Sequence, residues 1–167
     1  MLNPLVKFME IRGCFRMIKR LNRETREPEN YLYRGYIFRC HWFGIYLHQF
    51  WSSDPDHYHD HPWWSLSWIL KGGYHEYNAD GSCSWRRSGM IKTRPAEVFH
   101  RIEIGPHSAG STWSLFIHLN RKRAWGFMTP EGWLEAEEYG RKYDSTVMQE
   151  GAGYKIKGHL FPVVVPD

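Results

Sequence analysis

The sequence predicts an all-β domain, a barrel or sandwich of short strands with a helix at each end. Segments of strand-forming composition recur through residues 31–119, and turns rich in Gly and Pro separate them. Aromatic residues make up 17% of the chain, which fits strands packed on both faces better than it fits a helical bundle. A chain of 167 residues is long enough for one domain with a sizeable core.

The N-terminal segment predicts a basic amphipathic helix. Apolar residues recur at three- and four-residue spacing over residues 4–21, with Lys and Arg between them, although Gly13 weakens this pattern. A polar linker containing Pro28 follows, so we expect residues 1–28 to form an N-terminal helix and linker. The helix packs on the barrel or a dimer partner in our preferred interpretation, and a membrane-surface or nucleic-acid role is the alternative.

The barrel itself is predicted over residues 29–129. The segment from Tyr31 to Trp51 indicates two or three strands, with a hairpin near Gly44. Alternation and turn signals predict the remaining strands at residues 64–70, 74–77, 82–87, 99–104 and 112–119.

A short C-terminal helix and a tail, residues 130–167, are expected to pack on the barrel. Thr129, Pro130 and Glu131 have the order of an N-cap, a first-turn proline and an early acid, and the helix is expected to end near Tyr143. An apolar segment at residues 161–165 is expected to form a strand that adds to this barrel or to that of a partner.

The excess of positive charge lies in the N-terminal segment alone. Residues 1–27 contain seven Lys and Arg against three Glu, and charges of the two signs balance in the remainder. A nucleic-acid groove on the barrel would need clustered basic residues there. The charge pattern therefore does not indicate nucleic-acid binding.

The cysteines and the hydropathy pattern predict a cytoplasmic protein. Cys14, Cys40 and Cys83 are odd in number and lack C-x-x-C spacing, which argues against a disulfide framework and against a Cys-based zinc site. No cleavable signal segment and no apolar run of about eighteen residues is evident, so we expect no membrane span.

Closely spaced histidines are the strongest functional signal. His57, His59 and His61 would share one face of an extended segment, because side chains alternate across a strand. Two or three neutral imidazoles that converge on a point form a site for a transition metal. His57 follows the loop of Asp54 to Asp56, so a ligand and a residue at the rim of the site are equally good interpretations of it.

A second segment completes a motif that resembles the cupin superfamily. The first part of the motif is an H-x-H on one strand and a glycine after the next strand, which are here His59, His61 and Gly72. The second part is G-x5-P followed by a third histidine, which are here Gly89, Pro95 and His100. The resemblance implies a cupin double-stranded β-helix, which is a jelly-roll barrel. It also implies a metal held inside the barrel by His59, His61 and His100.

The chain departs from the cupin pattern at one ligand position. Cupins commonly have a Glu about four residues after the H-x-H, where this chain has Ser65. The remaining set resembles that of three-histidine cupins, the thiol dioxygenases and related iron oxygenases, in which open coordination positions receive substrate and dioxygen. The resemblance favours Fe(II), whereas three imidazoles also suit Zn(II), Ni(II) or Cu(II). A narrower resemblance, carried by the HDHPW run and by Gly72 to Glu76, is to small cupin-like proteins of bacterial and phage genomes with no assigned activity.

Other residues are candidates for the site because they lie near the motif. His48, His57 and Tyr74 are candidate catalytic residues that tune proton transfer. Arg94 and Arg101 are candidates for binding an anionic substrate, with a solvated or surface-paired arginine as the alternative. Trp63 is a candidate substrate platform at the barrel mouth, with a core role as the alternative.

The leading functional hypothesis is a metal-dependent oxygenase that acts on a small molecule and forms a homodimer. A sugar epimerase or isomerase with a His base and a Tyr acid is an alternative on the same fold. The alternative of another class is a non-enzymatic cupin that binds a small ligand or serves as a structural or interaction protein, because function resides in the site and not in the barrel. Ser65 at the usual Glu position favours this last alternative.

Overall fold

The computed structural model describes residues 2–22, 25, 27–143, 147–150, 155–156 and 159–160. It contains two short helices, α1 (Leu2–Ile11) and α2 (Ala136–Tyr143), neither of which is long and apolar enough to cross a membrane. The strands are β1 (Phe15–Leu21), β2 (Pro28–Arg39), β3 (Phe43–Phe50), β4 (Tyr58–His59), β5 (Ser65–Lys71), β6 (Gly73–Asn78), β7 (Cys83–Arg87), β8 (Ile91–Arg94), β9 (His100–Glu103), β10 (Thr112–Leu119), β11 (Gly126–Thr129), β12 (Gly132–Glu135), β13 (Val147–Glu150), β14 (Lys155–Ile156) and β15 (His159–Leu160).

Strands β3 to β10 form a jelly roll. They lie in two sheets, with the order β3-β10-β5-β8 in one and β4-β9-β6-β7 in the other. Except at the β6–β7 hairpin, each strand is followed in the chain by a strand of the opposite sheet, which is the jelly-roll connection. Strands β2, β1 and β13 extend the first sheet beyond β3, and β11 and β12 extend the second beyond β4. The predicted all-β jelly-roll fold, with a helix near each end, is confirmed.

The two sheets enclose an apolar core. Leu32 and Phe50 of one sheet pack with Tyr74 and Ile102 of the other, and Ile18, Ile69 and Ile104 complete this cluster. A second cluster lies beneath α1, where Met9 packs with Tyr33, Leu47 and Trp113. The interior therefore has an apolar part in which side chains of the two sheets pack together. Buried polar residues lie elsewhere on the same inner faces.

The N-terminal helix is shorter than the sequence predicts, and the prediction of a helix over residues 4–21 is wrong beyond Ile11. Gly13 has a φ of 64°, and the amides of Gly13 and Cys14 bond to the carbonyls of Glu10 and Met9, a Schellman motif that ends the helix. Residues 15–21 then form β1, which pairs with β2. Phe15 contacts the cluster under α1 whereas Ile18 lies in the barrel core. Apolar residues on both faces of β1 hide its alternation and imitate helical spacing.

The C-terminal helix begins later than predicted. Thr129 does not cap a helix, because the Thr129 hydroxyl donates to the Gly132 carbonyl at 2.8 Å within the β11–β12 hairpin turn. Gly132 has a φ of 115°, which a glycine adopts without strain. The helix starts at Ala136 and ends at Tyr143, where its end is predicted. After it, β13 pairs with the free edge of β1, and the apolar segment 161–165 lies outside the described residues.

Candidate metal centre

Three histidines converge where β4 meets β9. His59 on β4 pairs directly with His100 on β9, and His61 follows two residues after His59. One ring nitrogen from each histidine lies within 4.8 Å of the other two, and the Nε2 atoms of His61 and His100 are 2.9 Å apart. The three histidines of the sequence motif therefore form a cluster in the folded chain.

Asp60 fixes the two H-x-H histidines on the same side of the chain. Its side chain is buried on the opposite side, where Oδ1 accepts from the Gly126 amide at 2.7 Å and Oδ2 lies 2.7 Å from Arg123 Nη1. The His61 amide donates to the Ala96 carbonyl at 3.1 Å, which ties down the chain after β4. These bonds hold His59 and His61 toward the interior although β4 has only two residues.

Burial keeps the three imidazoles neutral. Desolvation is the largest cause that lowers the pKa of His59, and it lowers the pKa values of His61 and His100 well below the usual value of 6.5. The positive charge of Arg94 acts in the same direction on all three pKa values. A neutral imidazole has a lone pair on one ring nitrogen, the form that binds a metal.

Glu76 contacts the Nδ1 side of the His100 ring. This carboxylate is fully buried, and its Oε1 atom lies 3.2 Å from His100 Nδ1. Its other oxygen accepts a hydrogen bond from Arg86 Nε at 2.7 Å, and Oε1 also contacts the Arg94 guanidinium. A carboxylate at Nδ1 holds the proton on that nitrogen and leaves Nε2 of His100 as the lone-pair donor.

Asp54 has a similar position behind His59. Its Oδ2 atom lies 3.7 Å from His59 Nδ1, which is an electrostatic contact longer than a hydrogen bond. Oδ2 also accepts the Ile102 amide at 2.6 Å, and Oδ1 accepts the Tyr31 hydroxyl at 2.5 Å. Asp54 is thus held rigidly, and its charge partly opposes the desolvation that lowers the pKa of His59.

Neither carboxylate was predicted from the sequence. Glu76 shares a face of β6 with the buried Tyr74, so alternation from Tyr74 is a signal that could have found it. Asp54 has no comparable signal, because it lies in a loop and its partners Tyr31 and Ile102 are distant in the sequence.

These donors fit a divalent transition metal. Three neutral imidazoles are a borderline-soft set that suits the later first-row ions. The 2.9 Å contact between Nε2 of His61 and Nε2 of His100 brings together two atoms that both have lone pairs when their protons are on Nδ1. Either a proton or a cation must lie between them, and a metal would replace that proton.

A second group of buried histidines lines the neighbouring wall, on β3 and β10. His48 Nε2 accepts from Arg34 Nε at 3.2 Å, and its ring stacks on Phe116. His118 Nε2 lies 2.9 Å from the Tyr46 hydroxyl, and Trp63 stacks on the His118 ring at 4.1 Å. Desolvation lowers the pKa values of both histidines. Of the predicted site residues, His48 and Trp63 therefore lie on this wall and not in the cluster of three.

Small hydroxyl side chains lie beside the second histidine group, on the same sheet. Ser65, at the usual Glu position, pairs in register with both Arg94 and His118, and Ser114 pairs with His48. Both serines are buried, and neither Oγ atom has a hydrogen-bond partner among the described residues. The indole nitrogen of Trp63 is also buried without one. This wall therefore offers polar atoms that the described part of the protein does not satisfy.

Arg94 and Tyr74 are both interior residues. Arg94 is 3% exposed and paired with Glu76, so it is neither solvated nor at the surface. Tyr74 packs on Phe50 in the apolar core, and burial is the main cause that raises the pKa of its hydroxyl.

His57 and Arg101 lie apart from the cluster. His57 Nδ1 lies 2.9 Å from the Tyr139 hydroxyl, and its ring packs on Tyr143 of α2. Arg101 alternates with the inward His100, pairs with Glu103 at 3.1 Å, and covers the Tyr77 ring. The structure thus brings neither predicted residue to the three imidazoles.

Comparison with known proteins gives similarity to solved structures only. No protein-family model and no curated protein matches the chain. Protein NMB1881 from Neisseria meningitidis is 22% identical with a TM-score of 0.44, over 55% of this chain and 88% of that one. A cupin superfamily protein from Desulfitobacterium hafniense is 20% identical with a TM-score of 0.45, over 55% and 80%.

A structure titled FeII HppE is 14% identical with a TM-score of 0.47, over 62% of this chain and 56% of that one. This chain thus spans little more than half of that protein. At these identities and TM-scores the likeness concerns the fold alone. The jelly roll that the motif predicts is the fold that the strand order establishes.

Proposed function

We propose that this protein is a metal-dependent cupin enzyme, an oxygenase that uses Fe(II) held by His59, His61 and His100 and acts on a small molecule. One observation carries the proposal. Three neutral imidazoles, two of them buried, converge within 4.8 Å, and two of the three have a carboxylate near Nδ1. A buried histidine with a purely structural role does not need this arrangement. A divalent ion bound there would supply a Lewis-acid and redox centre with open coordination positions.

Glu76 and Asp54 would orient the ligands. Each carboxylate faces Nδ1 of one imidazole, so the ring is held with Nε2 toward the centre. Arg86 and Arg94 contact the Glu76 carboxylate, and the Ile102 amide and the Tyr31 hydroxyl fix Asp54. These partners prepare the ligand geometry before any ion arrives.

Aromatic side chains limit the access of water to the cluster. Phe127 and Trp125 lie 5.8 Å and 6.4 Å from the His59 ring, and Phe116 lies 6.1 Å from the His61 ring, all measured between ring centroids. His61 is the least buried of the three histidines. Substrate would approach from the His61 side. Trp63, which stacks on His118 of the neighbouring wall, is the proposed platform.

The test is anaerobic reconstitution with Fe(II), Zn(II), Ni(II) or Cu(II), followed by oxygen-electrode measurements with a panel of thiols and other small molecules. We expect oxygen uptake that depends on both Fe(II) and a panel member, and that is absent in His100→Ala. Uptake of equal size in His100→Ala, or turnover of a substrate without oxygen uptake, would contradict the oxygenase.

A non-enzymatic ligand-binding cupin is the second candidate, and Ser65 favours it. Its buried hydroxyl adds no charge where a fourth ligand is usual, which weakens metal binding. Tight binding of a small molecule to a protein that never holds metal would support this alternative.

We also propose a homodimer. On the outside of the barrel, Trp68 and Ile91 pair across β5 and β8 and are 42% and 60% exposed, an apolar surface suited to a second copy. Light scattering after gel filtration should give twice the chain mass. A mass of one chain at micromolar concentration would contradict the dimer.

The cytoplasm is the proposed compartment. All three cysteines are unpaired thiols, which is usual where glutathione and thioredoxin keep thiols reduced. Cell fractionation with antibody detection would test this, and recovery outside the cytoplasm would contradict it.

A further inference from the structure

Helix α1 exposes apolar residues as well as burying them. Met9 packs over Gly35, in the cluster beneath the helix. Leu5, Phe8 and Ile11 follow one another at three-residue spacing and form an outer stripe that is 40%, 55% and 75% exposed, respectively. A surface helix normally turns its apolar residues to the core and polar ones to water. The outer stripe of α1 therefore indicates a second surface that covers this helix.

The β2–β3 hairpin lies next to α1 and also exposes apolar residues. The Tyr36 amide donates to the Cys14 carbonyl at 2.7 Å, so the chain that leaves α1 runs beside the end of β2. Ile37, Phe38 and Trp42 follow Tyr36 in the hairpin, and each of them is exposed. The helix and the hairpin are thus neighbouring segments with uncovered apolar side chains.

Positive charge is concentrated on the same segments. The β10–β11 loop adjoins the hairpin, because Leu119 at the end of β10 pairs with Phe43. Residues 2–12, 37–43 and 119–123 contain six Lys and Arg but one acid, Glu10. Arg123 pairs with Asp60. The other five basic residues form no ion pair with any carboxylate in the part of the chain that the structure describes: Lys7, Arg12, Arg39, Arg121 and Lys122. We call these three segments together the basic apolar surface.

We propose that the basic apolar surface docks the protein on an anionic phospholipid membrane. Exposed apolar side chains interspersed with Lys and Arg are typical of helices that lie in the membrane interface. Trp is enriched at the level of the lipid head groups, and Trp42 is 69% exposed at the hairpin turn. The unpaired cations complement the negative charge of the head groups.

Two other occupants fit this surface less well. Single-stranded nucleic acid gains affinity from bases that stack on aromatic rings, whereas Leu5, Ile11 and Ile37 are aliphatic. In a second copy related by a two-fold axis the same patch meets itself, so Lys7 and Arg12 would lie close to their own copies, and such like charges repel. A bilayer provides both hydrocarbon for the aliphatic side chains and negative charge for the cations.

The experiment is flotation of the purified protein with vesicles of equimolar phosphatidylserine and phosphatidylcholine, and with vesicles of phosphatidylcholine alone. We expect binding to the anionic vesicles that weakens as NaCl is added, and little binding to the neutral ones. Lipid titrations should show that Arg12→Gln binds about fivefold more weakly than wild type. Phe8→Ser and Trp42→Ala, which remove apolar area, should each bind about 10-fold more weakly.

The matched controls are Arg87→Gln and Trp85→Ala. Both side chains are exposed, and both lie on β7 in the second sheet, away from the basic apolar surface. These two variants should bind the anionic vesicles as wild type does, with near-UV circular dichroism confirming that every variant is folded.

Four outcomes would overturn the proposal. Wild-type protein that does not float with the anionic vesicles at low salt would contradict it, and so would equal losses in the surface variants and the controls. Oligothymidylate that binds wild type but not Arg12→Gln in fluorescence anisotropy, without any vesicle binding, would assign the surface to nucleic acid. A dimer in light scattering that Phe8→Ser dissociates, again without vesicle binding, would assign it to a second copy.

Discussion

The two groups of histidines inside the barrel differ in the side chains that contact their ring nitrogens. His59 and His100 have the carboxylates of Asp54 and Glu76 at Nδ1. His48 and His118 instead contact Arg34 and Tyr46, and no described carboxylate lies within ion-pair distance of either ring. Burial lowers the pKa values in both groups.

This difference shows that burial and neutrality do not by themselves define a metal ligand. A carboxylate behind the ring fixes the tautomer and strengthens the opposite nitrogen as a donor. An arginine in front of the ring uses the lone pair that a metal would need. We therefore propose metal binding for the first group and not for the second.

Removal of a ligand should produce the largest effect. His100→Ala is expected to weaken metal binding by more than about 100-fold, beyond the loss typical of an outer partner. A competition titration with a chelating dye measures this. The matched control is His118→Ala in the second group, which should keep wild-type affinity, and an equal loss in both variants would erase the distinction between the groups.

Loss of the carboxylate behind His100 should have the next largest effect. Glu76→Gln is expected to weaken metal binding about 10- to 100-fold. It also leaves the buried Arg94 without its acid, which should lower the free energy of unfolding by about 3–5 kcal/mol. Chelator competition and urea denaturation measure the two effects.

The exposed Glu103→Gln is the control for this change. It breaks only the surface pair with Arg101 and should alter stability by less than about 1 kcal/mol. Unchanged metal affinity in Glu76→Gln would mean that the carboxylate has a structural role alone.

Acidification should destabilise the chelated protein through both groups. Folded pKa values below 6.5 mean that the unfolded chain binds more protons, so stability falls as the pH drops below 6.5 toward the folded values. Each such histidine contributes up to about 1.4 kcal/mol per pH unit. Urea denaturation at pH 7.5, 6.5 and 5.5 with EDTA measures this, and a flat profile would show that these histidines are not held neutral.

The smallest effect is expected at Asp54. Its 3.7 Å separation from His59 Nδ1 exceeds a hydrogen bond, so Asp54→Asn should weaken metal binding less than Glu76→Gln, by under about tenfold. The same dye titration compares the two variants. A larger loss in Asp54→Asn would mean that His59 shifts onto Asp54 when metal binds.

The sequence predicted the cluster better than its surroundings. The H-x-H was found because strand alternation encodes which side chains share a face. The distant third histidine, His100, was found through the resemblance to the cupin motif. Alternation from Tyr74 could have indicated that Glu76 is buried, but its contacts with Arg86, Arg94 and His100 lie on other strands, which the sequence pattern does not pair with it. The same limit explains β1, where α1 on one face and the barrel core on the other produced a helix-like apolar spacing. The helix N-cap predicted at Thr129 was wrong because a hydroxyl before Pro130 can bond within a hairpin turn as readily as it can cap a helix.

The most direct test of the metal centre is elemental analysis of wild-type protein purified without chelators or a metal-binding tag, beside His59→Ala and His48→Ala. We expect about one divalent transition-metal ion per chain in wild type and in His48→Ala, and almost none in His59→Ala. Wild-type protein that holds no metal even after reconstitution, or a His59→Ala variant that keeps full occupancy, would contradict the metal centre.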